Sequence, residues 1–180
     1  MAKKPKAPHI PKFSKLVKAF EGAQEIVDEE VTQFAEDERD SFVSQVEAQN
    51  FPSFNVTPLN PVYLARKLKL KLDSRVMMRT GYYINHVKVF HRRTGKRSKV
   101  IHVGFHRRAL ARDEHGQRTP FLLYKLAWVQ ERGSAKAHVP PRPHWQPHFQ
   151  GMHRRAVPLR KRIKRRIRAN VRKVMPGVLK

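Results

Sequence analysis

The chain contains no cysteine, and only 14 of its 180 residues are acidic. Without cysteine it can form neither a disulfide nor a thiolate-ligated metal site, which fits a protein made and kept in a reducing cytosol. No run of 18 apolar residues occurs, so we expect no transmembrane helix. Residues 1–6 are not followed by an apolar stretch, so we also expect no secretory signal.

The shortage of carboxylates limits the chemistry that the chain can perform. Outside residues 13–50 only four remain, and no two form an obvious catalytic pair: Asp73, Asp113, Glu114 and Glu131. Phosphate-binding P-loops, nucleophile elbows and H-E-x-x-H zinc motifs are also absent from the sequence. We therefore expect no enzymatic activity and no cofactor.

Ten histidines raise the question of a metal site. His144, His148 and His153 are spaced four and five residues apart, but Pro147 interrupts them and no acidic residue follows Glu131. Structural metal sites usually need four well-placed ligands. We expect no metal here. We interpret these histidines first as solvated side chains, with a pH-sensing or phosphate-contacting role as the alternative.

The abundant component is positive charge. Lysine and arginine number 39, giving a net charge of +25, which favours a polyanionic partner such as nucleic acid. The charge is uneven, since residues 13–50 carry three basic and ten acidic side chains, a net of −7, whereas residues 51–180 carry +28. A chain with charge divided in this way can bind a polyanion through its basic part and the basic part of a neighbouring copy through its acidic segment.

The order of segments predicts an α+β fold with an antiparallel sheet, in which a β-hairpin is packed by helices. Residues 1–12 read as a flexible basic arm and 13–50 as a long acidic amphipathic helix. Residues 51–150 form the α+β core, and 151–180 form a basic C-terminal helix. Apolar residues of the first helix recur at helical spacing, which favours packing on the core, with a coiled coil between subunits as the alternative: Leu16, Phe20, Ala23, Val27, Val31, Phe34, Phe42 and Val46.

Within the core we predict an ordered loop over 51–61 and a helix beginning at Asn60 and Pro61, although the alternation over 68–72 also fits a strand. Strands over 82–90 and 99–105 should form a hairpin that turns at Gly95. A polar loop over 106–120, a helix over 121–131 capped by Gly133, and an extended, proline-rich segment over 134–148 should follow. The last helix should begin after Pro158 and end near Met175.

Clustered cations are the candidates for contact with DNA phosphates or acidic partners, without side chains arranged to read bases. They are the hairpin-tip residues Arg92, Arg93, Lys96 and Arg97, then Arg107 and Arg108, and in the last helix Arg160, Arg162, Lys164, Arg165, Arg166 and Arg168. Four aromatic side chains could stack bases, but we expect them in the core: Tyr82, Tyr83, Phe90 and Phe105. We expect Glu131 to pair with an arginine such as Arg142.

Two groups of motifs go beyond composition. The first is Pro58-Leu-Asn-Pro-Val-Tyr63 followed by Thr80-Gly81, and the second is Ala127 with Glu131-x-Gly133, then Pro140-Pro141-Arg142-Pro143. Their order and spacing resemble the tailed-phage neck and tail-completion proteins, whose pattern includes A-x-x-x-E-x-G and I-P-x-R-P. The resemblance covers about residues 56–150, and it implies structural roles for Thr80, Gly81, Glu131, Gly133, Pro141, Arg142 and Pro143.

The resemblance implies a structural protein of the virion neck, assembled in the host cytoplasm. Such proteins form a homo-oligomeric ring, often six-fold, between portal or head-connector proteins and tail-terminator or tail-tube proteins. Double-stranded DNA passes through the ring without sequence-specific contact, and no membrane is involved. We further expect the acidic helix to dock on a basic surface of a neighbouring subunit, so reversing the charges of Glu29, Glu30, Glu36 and Glu38 should weaken assembly.

The rival interpretation is a ribosomal or other RNA-binding protein. The sequence pI near 11.3 and the basic C-terminus favour it. The acidic helix and the absence of an RNA-binding motif count against it.

Overall fold

The computed structural model describes residues 13–56, 59–76, 81–93, 99–112 and 117–176. Thr80, Lys96, Arg97 and the arm 1–12 lie outside them. The helices of the described residues are α1 (Phe13–Glu47), α2 (Pro52–Val56), α3 (Pro61–Lys69), α4 (Tyr82–Asn85), α5 (Leu123–Arg132), α6 (Trp145–Gln150) and α7 (Met152–Val174). The strands are β1 (Lys88–Arg93), β2 (Lys99–Gly104), β3 (Leu110–Arg112) and β4 (Arg118–Leu122).

The predicted α+β class is confirmed, with helices packed around two small antiparallel sheets. β1 pairs with β2 in a continuous register from Lys88 opposite Gly104 to Arg93 opposite Lys99. β3 pairs with β4, with Leu110 opposite Leu122 and an irregularity before Arg112.

The chain divides into two compact units. Met1–Gln33 and His153–Lys180 make up the first, here called the helical unit, and Phe34–Met152 make up the second, the core unit. Helix α1 contributes its first part to the helical unit and its last part to the core unit.

Helix α1 has nearly the predicted extent, but its predicted apolar face is only partly buried. Phe42 and Val46 are fully buried in the core unit, whereas Phe20 is 73% exposed. In the helical unit the buried residues of α1 are instead Ala19 and Glu30. The reason is that α7 packs on the side of α1 that carries these two residues.

The core of the core unit is an apolar cluster with an aromatic stack. Phe42 stacks on Trp145 with ring centroids 4.2 Å apart, and Phe51 packs edge-on against Phe54. Burying a phenylalanine side chain contributes about 2–3 kcal/mol. Tyr83 is buried here and Tyr82 and Phe105 pack against the cluster, which confirms the expected core role of these three residues. Phe90, the fourth, is not part of this cluster, and its ring lies 5.9 Å from that of His106.

Helix α3 begins as predicted, since the Asn60 side chain accepts a hydrogen bond from the Val62 N–H and Pro61 occupies the first helical position. The alternative of a strand over 68–72 is excluded, because the backbone is helical to Lys69 and then turns.

The predicted strand over 82–90 is wrong in its first half. Residues Tyr82–Asn85 form α4, which follows Gly81 in the left-handed region at φ 69°, and β1 begins only at Lys88. A helical turn directs Tyr83, Ile84 and Val87 into the core together, whereas a strand would place neighbouring side chains on opposite faces. Tertiary packing therefore overrides the strand propensity of this segment.

The predicted polar loop over 106–120 contains the second hairpin, β3 and β4. Its strands are short, and Ala111 is the buried residue of β3. Pro120 is tolerated in β4 because a two-stranded sheet leaves one side of each strand unpaired. Helix α5 accordingly begins at Leu123 instead of 121, and it ends at the predicted cap, Gly133.

The segment 134–148 is not extended throughout. It begins with a turn closed by a bridge between Ser134 and Val139, and it ends in α6. Pro147 fits inside α6 because it lies in the first turn, where backbone N–H groups have no partner within the helix.

Helix α7 begins at Met152, earlier than predicted, and contains Pro158. Proline interrupts a helix at a cost of about 3 kcal/mol. Leu159 is buried and Ala156 is half-buried, so the turn around the exposed Pro158 is held by packing.

Candidate functional site

A basic face lies on α7. The helix carries eleven basic side chains and no acidic one. Its apolar residues, Leu159, Ile163 and Ile167, are at least half-buried. The opposite side presents a stripe of exposed cations at spacings of four, three and four, here called the α7 stripe: Lys161, Arg165, Arg168 and Arg172. Of the residues predicted from sequence, Arg160, Lys164, Arg165 and Arg168 are exposed on this helix.

Two of the predicted cations have acidic partners within the chain. Arg166 contacts Glu30 at 2.8 Å and Glu29 at 2.9 Å, and Arg162 contacts Glu30 as well. The hydrogen bond from Arg166 and the nearby Arg162 lower the pKa of Glu30. Arg162 and Arg166 therefore hold α7 against α1, and sequence alone assigned them to DNA or an acidic partner.

The expected charge-reversal test needs revision for the same reason. Glu29 and Glu30 are paired within the chain, and Glu38 is buried with its carboxylate 3.4 Å from His148 Nε2. Of the four, Glu36 is exposed and takes part in none of these contacts. Reversing all four would damage the fold as well as any docking surface.

The remaining predicted cations lie in the core unit. Arg92 is exposed near the end of β1, and Arg93 is the last residue of that strand. Arg107 and Arg108 are exposed in the turn between β2 and β3. The structure does not bring them together with the α7 stripe in one unit.

Helix α1 carries an exposed apolar seam that sequence reasoning did not separate from the buried face. Phe13, Val17, Phe20 and Val27, here called the α1 seam, recur with Gln24 at spacings of four, three, four and three. Phe13 and Phe20 are 80% and 73% exposed. This 3.5-residue repeat is the pattern of a helix that packs on another helix. The signal was present in the sequence, but Leu16 and Ala23 of the other face obscured it.

The described motif residues of the resemblance all lie in the core unit. Gly81 begins α4, Glu131 and Gly133 end α5, and Pro141 and Pro143 flank the buried Arg142. The backbone N–H of Arg142 donates to the Gln130 carbonyl, and the Ser53 hydroxyl donates to the Pro143 carbonyl.

Glu131 does not bind Arg142 as expected, but caps α6. Its carboxylate accepts the backbone N–H groups of His144, Trp145 and Gln146 at 2.8, 3.0 and 2.9 Å. These are N–H groups at a helix N-terminus, where a negative charge is favourable. The motif pair E-x-G and P-x-R-P therefore joins the end of α5 to the start of α6.

His144 and Tyr83 form a buried polar network, so the expectation of a solvated side chain is wrong for His144 and for His148, whereas His153 is exposed. Trp145 Nε1 donates to the Tyr83 hydroxyl, which in turn donates to His144 Nε2, each at 2.8 Å. His144 Nδ1 donates to the Arg142 carbonyl at 2.6 Å. These roles fix one neutral tautomer of His144. His148 is also buried, with its ring against Phe42, and the sequence lacked a signal for either burial.

Because His144 is buried, it should make the free energy of unfolding depend on pH. Desolvation lowers its pKa below the ordinary 6.5, although its hydrogen bond to Arg142 and the charge of Glu131 oppose the shift. As the pH falls through 6.5 the unfolded chain gains a proton at His144 that the folded chain does not. The free energy of unfolding should therefore fall, by at most about 1.4 kcal/mol per pH unit from this group. Urea melts at pH 7.5 and 5.5 should show a smaller difference in His144→Gln than in the wild type; an unchanged difference would contradict this origin.

Gly133 is required by its conformation and by space. Its φ is 77°, and a Cβ would lie 2.8 Å from Pro141 N and 2.9 Å from the Val139 carbonyl oxygen. We expect Gly133→Ala to lower the free energy of unfolding by about 2–3 kcal/mol. Gly81→Ala is the control, since at φ 69° a Cβ would meet, among the residues that the structure describes, only the flexible Asn85 side chain at 3.3 Å. It should lower the free energy of unfolding by about 1 kcal/mol, with both variants measured in urea melts. Equal losses in the two variants would show that the clash of the Cβ with the backbone at Gly133 is unimportant.

A cavity of about 990 Å³ opens beside these motifs in the core unit. Helix α3 lines one side, and β3, β4, α5 and the turn before Arg142 line the other. Its wall carries four cations, Arg66, Lys67, Arg112 and Arg142, among tyrosine and aliphatic side chains.

Among the residues that the structure describes, no three His, Asp or Glu side chains form a group that could hold a metal ion. No helix among them has both the length and the apolar character needed to cross a bilayer. No protein-family model, curated protein or solved structure matches this chain, so the resemblance to phage neck proteins rests on the quoted motifs alone.

Proposed function

We propose that this protein is a structural component of a phage neck, which assembles as a ring of identical subunits around double-stranded DNA. The observation that carries the proposal is the helical unit. It combines an exposed apolar seam on an acidic helix with a stripe of exposed cations on a basic one. A subunit of a DNA-threaded ring needs both kinds of surface.

The α1 seam supports self-association. Two phenylalanine side chains that are more than 70% exposed are unfavourable in water, and each is worth about 2–3 kcal/mol when buried. A second copy of the chain is the complementary partner, because residues 13–50 are acidic and the rest of the chain is strongly basic.

The α7 stripe supports contact with DNA. Its four cations are exposed, spaced along about three helical turns, and flanked by further arginine and lysine side chains. Side chains of this kind bind phosphates without reading sequence. Arg162 and Arg166 are left out of this role, because they bind Glu29 and Glu30.

The mass of the purified protein, measured before and after nuclease treatment, tests the proposal against its rival. The proposal requires a symmetric multimer that is free of nucleic acid, measured by light scattering after size-exclusion chromatography. A monomer that co-purifies with nuclease-sensitive RNA would overturn it in favour of an RNA-binding protein.

The DNA contact has its own test. Replacing Lys161, Arg165, Arg168 and Arg172 by glutamine should weaken binding of a mixed-sequence 30-base-pair duplex. It should also reduce the steepness of the plot of log K against log salt by about 3.6, since each of the four phosphate contacts contributes about 0.9. The matched control removes four exposed lysines of the core unit, Lys69, Lys71, Lys88 and Lys125, and so lowers the net charge equally. Equal loss of slope in both variants would mean that α7 is not the DNA-binding face.

A further inference from the structure

We propose that the exposed side of helix α5 receives the α1 seam of a second copy of the chain, so that the contact between copies joins two different surfaces. This inference rests on the proposed ring of identical subunits, and it names the surface that the seam binds. The receiving surface, here called the α5 face, consists of Tyr124, Trp128 and Arg132.

The α5 face is an aromatic surface that the packing of its own helix leaves open. Leu123 and Ala127 are buried in the core unit, whereas Tyr124 and Trp128 are 43% and 57% exposed. Tyr124, Trp128 and Arg132 are spaced four residues apart, so they lie in one row along the helix. Large apolar side chains exposed together mark interaction sites, and tryptophan is among the residues that contribute most to binding at protein interfaces.

The seam and the α5 face match in length and in type of packing. From Phe13 to Val27 the seam extends about 21 Å, and the ten residues of α5 extend about 15 Å. The 3.5-residue repeat of the seam is suited to packing on another helix, and the α5 face is the exposed row of a helix. Each surface can therefore cover most of the other.

Charge disfavours a contact between two seams. Glu21 and Glu25 directly follow the seam positions Phe20 and Gln24, and both are exposed. Residues 13–50 have a net charge of −7, so two copies of this helix repel each other. The seam should instead bind a positively charged surface.

The surroundings of α5 have the complementary charge. Residues 118–138 carry four basic side chains and one acidic side chain, that of Glu131, whose carboxylate accepts backbone N–H groups at the start of α6. The Arg132 guanidinium lies 5.2 Å from the centre of the Trp128 ring, so the α5 face carries a positive charge beside its aromatic surface. An acidic helix with an apolar seam is the partner that fits it.

Ring symmetry also requires two different surfaces. A seam bound to a seam is an isologous contact, which closes as a two-fold dimer, whereas a ring of more than two subunits needs a heterologous contact. The seam belongs to the helical unit and the α5 face to the core unit, so each copy offers one of each to its neighbours.

Two variants that break opposite sides of the contact test the inference by light scattering on the full chain. Trp128→Asp should weaken association at least about thirtyfold, as expected for an interface hot spot, and so give monomers like those of Phe20→Asp. Mixed in equal amounts, the two monomeric variants should form a dimer with one copy of each, because one intact seam can still bind one intact α5 face. Circular dichroism should be unchanged in Trp128→Asp, since a carboxylate four residues before Arg132 is favourable in a helix.

The matched control is Val62→Asp. It places the same charge on an apolar residue of the core unit that is 79% exposed and lies outside the α5 face, so this variant should assemble like the wild type.

Cross-linking locates the contact. Because the chain has no cysteine of its own, Gln24→Cys in the seam and Tyr124→Cys in the α5 face each carry a single thiol. Oxidation of a mixture of these two variants should give predominantly mixed disulfide dimers.

The outcomes separate this inference from the ring itself. A monomeric wild type would overturn both. If the wild type is a multimer and Trp128→Asp assembles equally well, or if disulfides form only between two Gln24→Cys copies, the seam does not bind α5 and only this inference is wrong. It is also wrong if the two monomeric variants neither associate nor cross-link. If Trp128→Asp assembles normally but no longer binds a fluorescent single-stranded oligothymidine, the α5 face stacks bases instead.

Discussion

Phe20→Asp should convert the assembled protein into monomers while leaving its circular dichroism and thermal melt nearly unchanged. Phe20 is 73% exposed, so the isolated chain loses little when it is replaced. In an interface formed by the α1 seam, the change removes about 2–3 kcal/mol of apolar burial and adds the cost of desolvating a carboxylate. A total near 4 kcal/mol corresponds to roughly a thousandfold weaker association.

Light scattering over a range of protein concentrations measures this effect. The matched control is Ser44→Asp, which adds the same charge to an exposed position of α1 outside the seam and should leave the assembly intact. If Phe20→Asp assembles like the wild type, the seam is not the contact between copies. If Ser44→Asp also dissociates the protein, the effect is one of net charge.

The sequence was most informative where a local rule decides the structure. The cap at Asn60 with Pro61 and the C-terminal glycine of α5 were predicted because each depends on two or three neighbouring residues. The hairpin of β1 and β2 was visible as two apolar strands around a basic turn. The α+β class follows from the order of such elements.

The sequence was less informative where long-range packing decides. Tyr82–Asn85 has strand propensity but is helical, because Tyr83 must reach His144 and Trp145, more than sixty residues away. The pairing of Glu30 with Arg162 and Arg166 joins residues that are 132 and 136 positions apart in the sequence. No periodicity contains this information, so from the sequence alone the carboxylates of Glu29 and Glu30 were assigned to a neighbouring subunit.

The candidate surfaces were likewise predictable from the sequence only in part. Exposed cations could be assigned from composition, but which of them are already paired required coordinates. The α1 seam was readable as a 3.5-residue repeat only after the other face of α1 was known to be occupied by α7. The cavity was beyond prediction, because its lining comes from distant parts of the chain, including α3, β3 and the segment before α6.

Glu131→Ala should cause the largest loss of stability among the motif variants, about 4 kcal/mol. The carboxylate of Glu131 is largely buried and accepts three backbone N–H groups. Hydrogen bonds to a charged group contribute about 1.5–3 kcal/mol each, and water can replace part of them at the exposed Gln146. Losing the cap also loosens the start of α6, which carries Trp145 into its stack on Phe42.

A graded series of variants separates capping from packing in this prediction. Glu131→Gln keeps one oxygen acceptor and nearly the same volume, so it should lose about half as much as Glu131→Ala in urea melts. The near-UV circular dichroism signal of Trp145 should weaken more in Glu131→Ala than in Glu131→Gln. If glutamine and alanine are equally mild, below about 1 kcal/mol, the carboxylate does not hold α6 to α5, and the physical account of the E-x-G and P-x-R-P motifs given above fails with it.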